Sequence, residues 1–269
     1  MTARDFHQSI FKWAIDCKMK LSKRPLVIGI NGPQGSGKST LGRSLVSAAE
    51  EIGCKAVSLS IDDFYLTRCE QIRLSEAHPE NIFLKARGYP GTHDVVLGAK
   101  IVSQLSSQDE SLVKVPRYDK SAHNGLGDRH PQENWSTVAT PLDFVFIEGW
   151  MLGFSPIKSI GEGLSQSHGQ SMQKINELLG PYAKWHESIS AYVVLWTKDL
   201  KNIVRWRIEA EAKMRKEVGQ GMSDDDCRKY IEKFLPAYEL YVPQLLNDMN
   251  KSDSPHLVIE IGADRLPLN

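Results

Sequence analysis

The chain has 269 residues and a formal net charge of zero, a balance that argues against nucleic-acid binding as its main activity. Hydrophobic residues make up 41% and charged residues 25%, which is typical of a folded globular protein and excludes a disordered chain. A chain of this length can form one large α/β domain whose core needs neither disulfides nor a structural metal.

The first predicted element is an amphipathic helix within residues 1–24. Its apolar face carries Phe6, Ile10, Trp13 and Cys17. This segment contains acidic residues and no long apolar stretch, which argues against a secretory signal peptide. We expect a cytosolic protein, and a short transit peptide is the alternative.

Short apolar runs that alternate with helical patterns predict the rest of the fold. The predicted strands are 26–30, 56–61, 111–115, 144–147, 192–196 and 257–261. The predicted helices are 39–51, 199–218 and 224–247, and residues 155–171, rich in Gly, Ser and Gln, predict a mobile loop. This alternation indicates an α/β fold in which helices flank a mainly parallel sheet, as a single domain over 1–269.

The strongest chemical signal follows the first predicted strand. The segment Gly32-Pro33-Gln34-Gly35-Ser36-Gly37-Lys38-Ser39 matches G-x-x-x-x-G-K-[ST] and leads through Thr40 into a helix. Its glycines let backbone N–H groups face a phosphate, Lys38 would reach the β- and γ-phosphates, and the Ser39 hydroxyl would bind Mg²⁺. A chance match is the alternative, and the strand–loop–helix context argues against it. We therefore expect a P-loop NTPase fold that binds ATP and Mg²⁺.

Acidic residues end two further predicted strands. Asp62 and Asp63 follow the strand 56–61, and Glu148 follows 144–147. The carboxyl ends of parallel strands form the ligand-binding edge of such a sheet. One aspartate could accept the proton of an attacking hydroxyl, and Glu148 would lie near Mg²⁺ and its waters. A turn or helix N-cap is the alternative for the aspartates, and a solvated surface charge is the alternative for Glu148.

Several longer motifs resemble one kinase family. They are GPQGSGKST, SIDDFYLT, RGYPGTHD, VPRYDKSAHNGLGDR, FIEGWMLGF and LPAYELY. In this order they resemble the plant-type D-glycerate 3-kinases and their fungal ATP-dependent kinase relatives, within the phosphoribulokinase, uridine kinase and pantothenate kinase superfamily. The resemblance runs from about Pro25 to about Tyr241. It implies transfer of the γ-phosphate of ATP to a hydroxyl of D-glycerate, which gives 3-phosphoglycerate.

The resemblance also implies roles by position. Asp62 heads the D-x-F-Y segment and matches the general base, with Asp63 in a variable place and Tyr65 beside the substrate. Asp94 ends RGYPGTHD and matches an acidic substrate contact, and Arg117 and Tyr118 match a P-x-Y substrate segment. The helix 199–218 resembles a lid, in which Arg207 and Arg215 would close on the phosphates. An exposed helix laced by ion pairs is the alternative for that segment.

The residues themselves favour an acidic small molecule. Arg87, His93, Arg117 and Arg129 fall in Gly- and Pro-rich loops, and an arginine offers two parallel hydrogen bonds to a carboxylate. Pairing with a neighbour such as Asp119 or Asp128 is the alternative for each arginine.

Another pattern is rejected. Residues 250–253 read N-K-x-D, the guanine signature of small GTPases, but they follow a helix instead of a buried strand, so we interpret them as a turn.

Two other function classes stay open at this point. One is a regulatory NTPase that hydrolyses nucleotide without an acceptor, and the other is an adaptor that keeps ATP as a structural ligand. A kinase of another metabolite, such as pantothenate or a nucleoside, is the alternative to glycerate. The four cysteines lack metal-ligand spacing, so we expect reduced, mostly buried thiols. We expect a monomer that binds neither nucleic acid nor membrane.

Overall fold

The computed structural model describes residues 1–160, 166–218 and 222–268. Its strands are β1 (Leu26–Asn31), β2 (Ala56–Ser60), β3 (Ser111–Val115), β4 (Tyr118–Asp119), β5 (Asp128–Arg129), β6 (Ser136–Thr140), β7 (Phe144–Gly149), β8 (Ala191–Trp196) and β9 (His256–Glu260). Its helices are α1 (Ala3–Leu21), α2 (Lys38–Glu51), α3 (Arg68–Ala77), α4 (Val95–Leu105), α5 (Ala122–Gly125), α6 (Gln166–Leu179), α7 (Ala183–His186), α8 (Lys201–Val218), α9 (Asp224–Glu232) and α10 (Leu235–Lys251).

A five-stranded parallel sheet with the order β2-β7-β1-β8-β9 forms the centre of the fold. Every residue of β1 and β7 is buried, as expected for central strands covered on both faces. Helix α2 packs on β1, β2 and β7, and α1 packs on α2. The α/β fold with a parallel sheet and flanking helices is therefore confirmed.

The register of the sheet determines which loops meet at its ligand-binding edge. Ser60 of β2 pairs with Glu148 of β7, and Asn31 of β1 pairs with Gly149. The P-loop after β1, the aspartates after β2 and the acid at the end of β7 therefore start from one end of three adjacent strands.

Three sequence expectations need correction. Residues 111–115 do form a strand, but β3 pairs antiparallel with β6 outside the main sheet. The predicted helix 224–247 is two helices, because regular helix stops after Glu232 and begins again at Leu235, with Pro236 in the first turn of α10, where proline is favoured. In the predicted loop 155–171, residues 161–165 lie outside the described residues, whereas residues from 166 onward belong to α6.

Other expectations agree with the structure. Helix α1 buries Phe6, Ile10 and Cys17 of the predicted face, whereas Trp13 is only partly buried. The N-K-x-D segment lies where α10 ends and the chain turns toward β9. All four cysteines are free, although only Cys17 and Cys227 are buried and Cys69 is exposed. Within the described ranges, no helix combines the length and apolarity that crossing a membrane requires.

Candidate active site

The P-loop connects β1 to α2 through two glycines in the left-handed region. Gly35 has φ +77° and Gly37, the N-cap of α2, has φ +93°. A Cβ at Gly35 would lie 2.7 Å from Trp206 Cβ, so only glycine lets the loop pass α8 here. Gly37 has no side chain to cap the first turn of α2, which leaves the N–H groups of that turn open to an anion.

Lys38 folds back over this loop. Its Nζ donates to the Pro33 carbonyl at 2.9 Å, and the residue is only 8% exposed. Burial lowers the pKa of Lys38, and the carboxylates of Glu148 and Asp62 act in the opposite direction. The lysine therefore lies in the field of both acids that the sequence singled out.

Ser39 and Glu148 form a hydrogen-bonded pair of oxygen-bearing side chains beside Lys38. Ser39 Oγ donates to Glu148 Oε1 at 2.7 Å, and Glu148 is buried at the end of β7. A hydroxyl and a carboxylate are hard oxygen ligands that suit Mg²⁺, which in phosphate sites uses only one or two protein ligands. Within the described residues no group of three or more His, Cys, Asp or Glu side chains is arranged to hold a metal ion.

Asp62 lies in the short 3₁₀ turn Ile61–Phe64 after β2, and its backbone N–H donates to Ser60 Oγ. Its Oδ2 accepts a hydrogen bond from Lys120 Nζ at 2.6 Å. Burial raises the pKa of Asp62, but the Lys120 charge and hydrogen bonds from Lys120 and Tyr65 outweigh it and hold that pKa well below its usual range. Asp62 is therefore an ionised acceptor.

Asp63 has a different environment. Its two oxygens accept hydrogen bonds from the Tyr118 backbone N–H at 3.2 Å and from Arg117 Nη1 at 3.3 Å. Burial raises the pKa of Asp63, opposed by the Arg117 charge. This carboxylate fixes the segment around Tyr118 against the turn after β2.

A cavity of about 590 Å³ brings most of these groups together. The predicted site residues that line it are Gln34, Gly35, Lys38, Ser39, Asp62, Arg117, Glu148 and Arg207. Arg207 Nε is buried without a hydrogen-bond partner among the described residues, although its Nη2 donates to Glu211. Asp63 and Arg43 also line the cavity, which therefore combines a P-loop with three acids and three arginines.

A second cavity of about 540 Å³ lies on the other side of the P-loop. It shares Gly35, Lys38 and Ser39 with the first cavity and extends past Ser36, Gly37 and Thr40. The beginning of α1, the middle of α8 and the loop after β9 form its other walls. A molecule that spans both cavities would pass directly over the P-loop.

Tyr65 and His93 lie behind Asp62 and do not line either cavity. Their rings stack at 4.3 Å between centroids, and His93 Nδ1 lies 2.9 Å from the Tyr182 hydroxyl. Burial lowers the pKa of His93 to about 3, so the imidazole is neutral, and its Nε2 is buried without a partner in the described part of the chain. These residues support Asp62 through the Tyr65 hydrogen bond.

The structure places four other residues, predicted as substrate or lid contacts, away from the cavities. Arg87 donates to the carbonyls of residues 125 and 126, and Asp94 caps α4 and pairs with Arg129 at 3.2 Å. Tyr118 packs its ring edge on Tyr65. Arg215 pairs with an aspartate at the start of α9 at 2.7 Å, far along α8 from Arg207.

The alternative partners expected for the loop arginines also need correction. Arg117 pairs with Asp63, and Arg129 pairs with Asp94 and with Glu70. The expectation of pairing with Asp119 or Asp128 depended on sequence neighbours, whereas the actual partners come from segments that are distant in the sequence.

Two residues in these cavities were missed from the sequence. Lys120 contacts Asp62, and Arg265 Nε donates to the Gly35 carbonyl at 2.7 Å while its Nη2 pairs with Glu209 at 2.8 Å. Lys120 lies in the motif VPRYDKSAHNGLGDR, and Arg265 follows the last parallel strand at the ligand-binding edge. The motif around Lys120 and the strand-end position of Arg265 each indicated a place near the site, but residue spacing could not predict either contact.

The chain as a whole is similar to known kinases. The chain is 36% identical over 249 residues to the chloroplastic D-glycerate 3-kinase of Arabidopsis thaliana, and the match covers 91% of this chain and 54% of the plant protein, about half its length. It is 36% identical over 244 residues to the probable ATP-dependent kinase TDA10 of Saccharomyces cerevisiae, with 87% and 82% covered. A solved structure of D-glycerate 3-kinase from Cryptococcus neoformans superposes with a TM-score of 0.87 at 28% identity, with 98% of each chain covered. No protein-family model matches the chain.

Proposed function

Because the chain belongs to the family of P-loop kinases that includes yeast TDA10 and the plant D-glycerate 3-kinase, we propose that it phosphorylates the terminal hydroxyl of D-glycerate. The family makes it an ATP-dependent phosphotransferase with a hydroxyl acceptor. The products would be 3-phosphoglycerate and ADP. The observation that carries the proposal is the convergence of Lys38, Asp62 and the Ser39–Glu148 pair on one cavity.

The P-loop would hold the triphosphate. The open N–H groups at the start of α2 suit the β-phosphate, and Lys38 would leave the Pro33 carbonyl to meet charge developing on the γ-phosphate. The unpartnered Arg207 Nε favours this arginine over Arg215 as the lid residue that contacts phosphate. Thr40 and the second cavity would accept the nucleoside portion.

Ser39 and Glu148 would hold Mg²⁺ between their oxygens and the phosphates. When bound, the ion neutralises charge on the β- and γ-phosphate oxygens. Glu148 would keep the Ser39 hydroxyl oriented both with and without the bound ion.

Asp62 is the proposed general base. The acceptor oxygen would bond to the γ-phosphorus while the bond to the β–γ bridging oxygen breaks, and the hydroxyl proton would pass to the Asp62 carboxylate. Asp63 is a weaker candidate because both of its oxygens already accept hydrogen bonds from the segment that carries Arg117.

Arg117 is the first candidate to hold the glycerate carboxylate. Its guanidinium lines the cavity, and its side chain is 51% exposed, so it can turn toward a ligand. Tyr65 and His93 would shape the acceptor side from behind Asp62, whereas Arg87, Asp94 and Tyr118 would act by fixing the surrounding loops.

The four free cysteines support a reducing compartment, for which we propose the cytosol.

A coupled ADP-release screen tests this function. The acceptors are D-glycerate, pantothenate, uridine, ribulose 5-phosphate and a blank without acceptor. We expect ADP release with D-glycerate only. Equal release in the blank would indicate a regulatory ATPase, and no release with any acceptor would favour an adaptor.

A further inference from the structure

The carboxylate expected to accept the proton is already engaged by a cation of the same chain. Lys120 Nζ lies 2.6 Å from Asp62 Oδ2, and Lys120 lines the cavity that also holds Lys38 and Glu148. The Lys120 side chain is 58% exposed, compared with 27% for Asp62. The Lys120 side chain is therefore the more accessible member of this ion pair, and it lies in the cavity proposed for the acceptor.

This contact opposes catalysis while it lasts. A general base needs a free lone pair directed at the acceptor hydroxyl, and an ammonium at hydrogen-bond distance occupies one and reduces the basicity of the carboxylate. Movement of Lys120 away from Asp62 would therefore free Oδ2 and restore the basicity of the carboxylate.

The backbone around Lys120 is fixed, whereas its side chain is not confined. Tyr118 pairs with Arg129 in the β4–β5 hairpin, and its N–H donates to Asp63. The Lys120 carbonyl also accepts a hydrogen bond from Arg87. The ammonium can therefore change partners by rotation of the side chain alone, with no movement of the loop.

We propose that Lys120 makes the site selective for an acidic acceptor by exchanging Asp62 for the carboxylate of that acceptor. The inference rests on the proposed kinase function. The incoming carboxylate binds the Lys120 ammonium beside Arg117 and releases Asp62. Asp62 then takes the hydroxyl proton as the acceptor oxygen bonds to the γ-phosphorus, and ADP leaves with the electrons of the broken bond to the bridging oxygen. A neutral acceptor supplies no anion, so Lys120 stays on Asp62.

The test compares one acid with two neutral analogues: D-glycerate, glyceramide and glycerol. Steady-state kcat and KM are measured for wild type, Lys120→Met, Lys120→Arg and the control Lys114→Met, which changes an exposed lysine of β3. We expect Lys120→Met to lower kcat/KM for D-glycerate on the order of 100-fold, with the KM for ATP unchanged. The kcat/KM of Lys120→Met for glycerol and glyceramide should stay unchanged or rise several-fold, because no ammonium then occupies Asp62. Lys120→Arg should retain part of the acid preference, and Lys114→Met should behave as wild type.

The outcomes distinguish a failure of the proposed Lys120 role from a failure of the proposed kinase function. An equal loss with acid and neutral acceptors, or a raised KM for ATP with an unchanged KM for glycerate, overturns the role of Lys120. If the wild type uses a different acid, glycerate is the wrong acceptor, and the same comparison with that acid and its amide decides the role of Lys120. If the wild type phosphorylates only neutral acceptors, both proposals are wrong. Thermal melting of each variant excludes a folding defect.

Discussion

Asp62 and Asp63 are adjacent in the sequence, yet their carboxylates contact two different cations of one segment. Asp62 Oδ2 lies 2.6 Å from Lys120 Nζ, and Asp63 Oδ2 lies 3.3 Å from Arg117 Nη1. Asp63 also accepts the Tyr118 backbone N–H, which makes it an anchor for the segment. This difference in partners leads to different predictions for two nearly identical substitutions.

Asp62→Asn should lower kcat by roughly 10²- to 10⁴-fold and leave ATP binding intact, because an amide keeps the size of the side chain but cannot take the proton. Asp63→Asn keeps an oxygen for the Tyr118 N–H and should act mainly through the KM of the acceptor. Steady-state kinetics with calorimetric ATP titration distinguish the two. A large loss of kcat in Asp63→Asn and a small one in Asp62→Asn would assign the base to Asp63.

Lys38→Ala should lower kcat by roughly 10²- to 10³-fold, because it removes a positive charge directed at the transition-state phosphate. The loss of its hydrogen bond to the Pro33 carbonyl should cost only about 1 kcal/mol of stability. The ADP-release assay and thermal melting measure the two effects, with exposed Lys114→Ala as the control. Near-normal kcat in Lys38→Ala would exclude the proposed phosphoryl transfer.

Arg117→Ala should raise the KM for D-glycerate by roughly 10- to 100-fold and leave the KM for ATP nearly unchanged, because a charge-assisted contact to the carboxylate is lost. Arg117→Lys should restore only part of the apparent affinity for D-glycerate, since an ammonium lacks the planar fork of the guanidinium. Arg73→Ala, an exposed arginine of α3, is the matched control. An unchanged KM for glycerate in Arg117→Ala would remove Arg117 from the acceptor site.

Gly35 and Gly53 offer a matched pair for testing the P-loop backbone. Both have φ +77°, but a Cβ at Gly35 would lie 2.7 Å from Trp206 Cβ, whereas a Cβ at Gly53 has nothing within 4 Å. Gly53→Ala should therefore cost about 1–2 kcal/mol of stability, because the only penalty is the strain of a left-handed backbone in a residue that has a Cβ. Gly35→Ala should cost more and raise the KM for ATP. Equal melting temperatures and equal kinetics for both variants would show that the contact with Trp206 is unimportant.

The sequence predicts best those parts of the site that depend on local pattern. The P-loop between β1 and α2, and the acids at the ends of β2 and β7, follow from short apolar runs and glycine spacing. Lys120 is different, because its contact with Asp62 depends on how the β4–β5 hairpin docks against the turn after β2. Contacts between distant loops are set by tertiary packing, which periodicity and motif spacing do not encode.

The fold shows the same difference between features set by local sequence and features set by tertiary packing. The short apolar run 111–115 predicts a strand, but its pairing with β6 outside the main sheet depends on a partner about 25 residues away. The break between α9 and α10 had a local signal in Pro236, which the helical periodicity of 224–247 obscured. Local chemistry therefore predicts elements, and packing decides their partners and ends.

The most direct measurement is identification of the product by phosphorus NMR after the wild-type protein is incubated with ATP, Mg²⁺ and D-glycerate. We predict that the γ-phosphate signal of ATP is replaced by a phosphomonoester signal that coincides with added 3-phosphoglycerate, and that Asp62→Asn forms it far more slowly. Release of inorganic phosphate alone, at the same rate with and without D-glycerate, would contradict phosphoryl transfer to this acceptor.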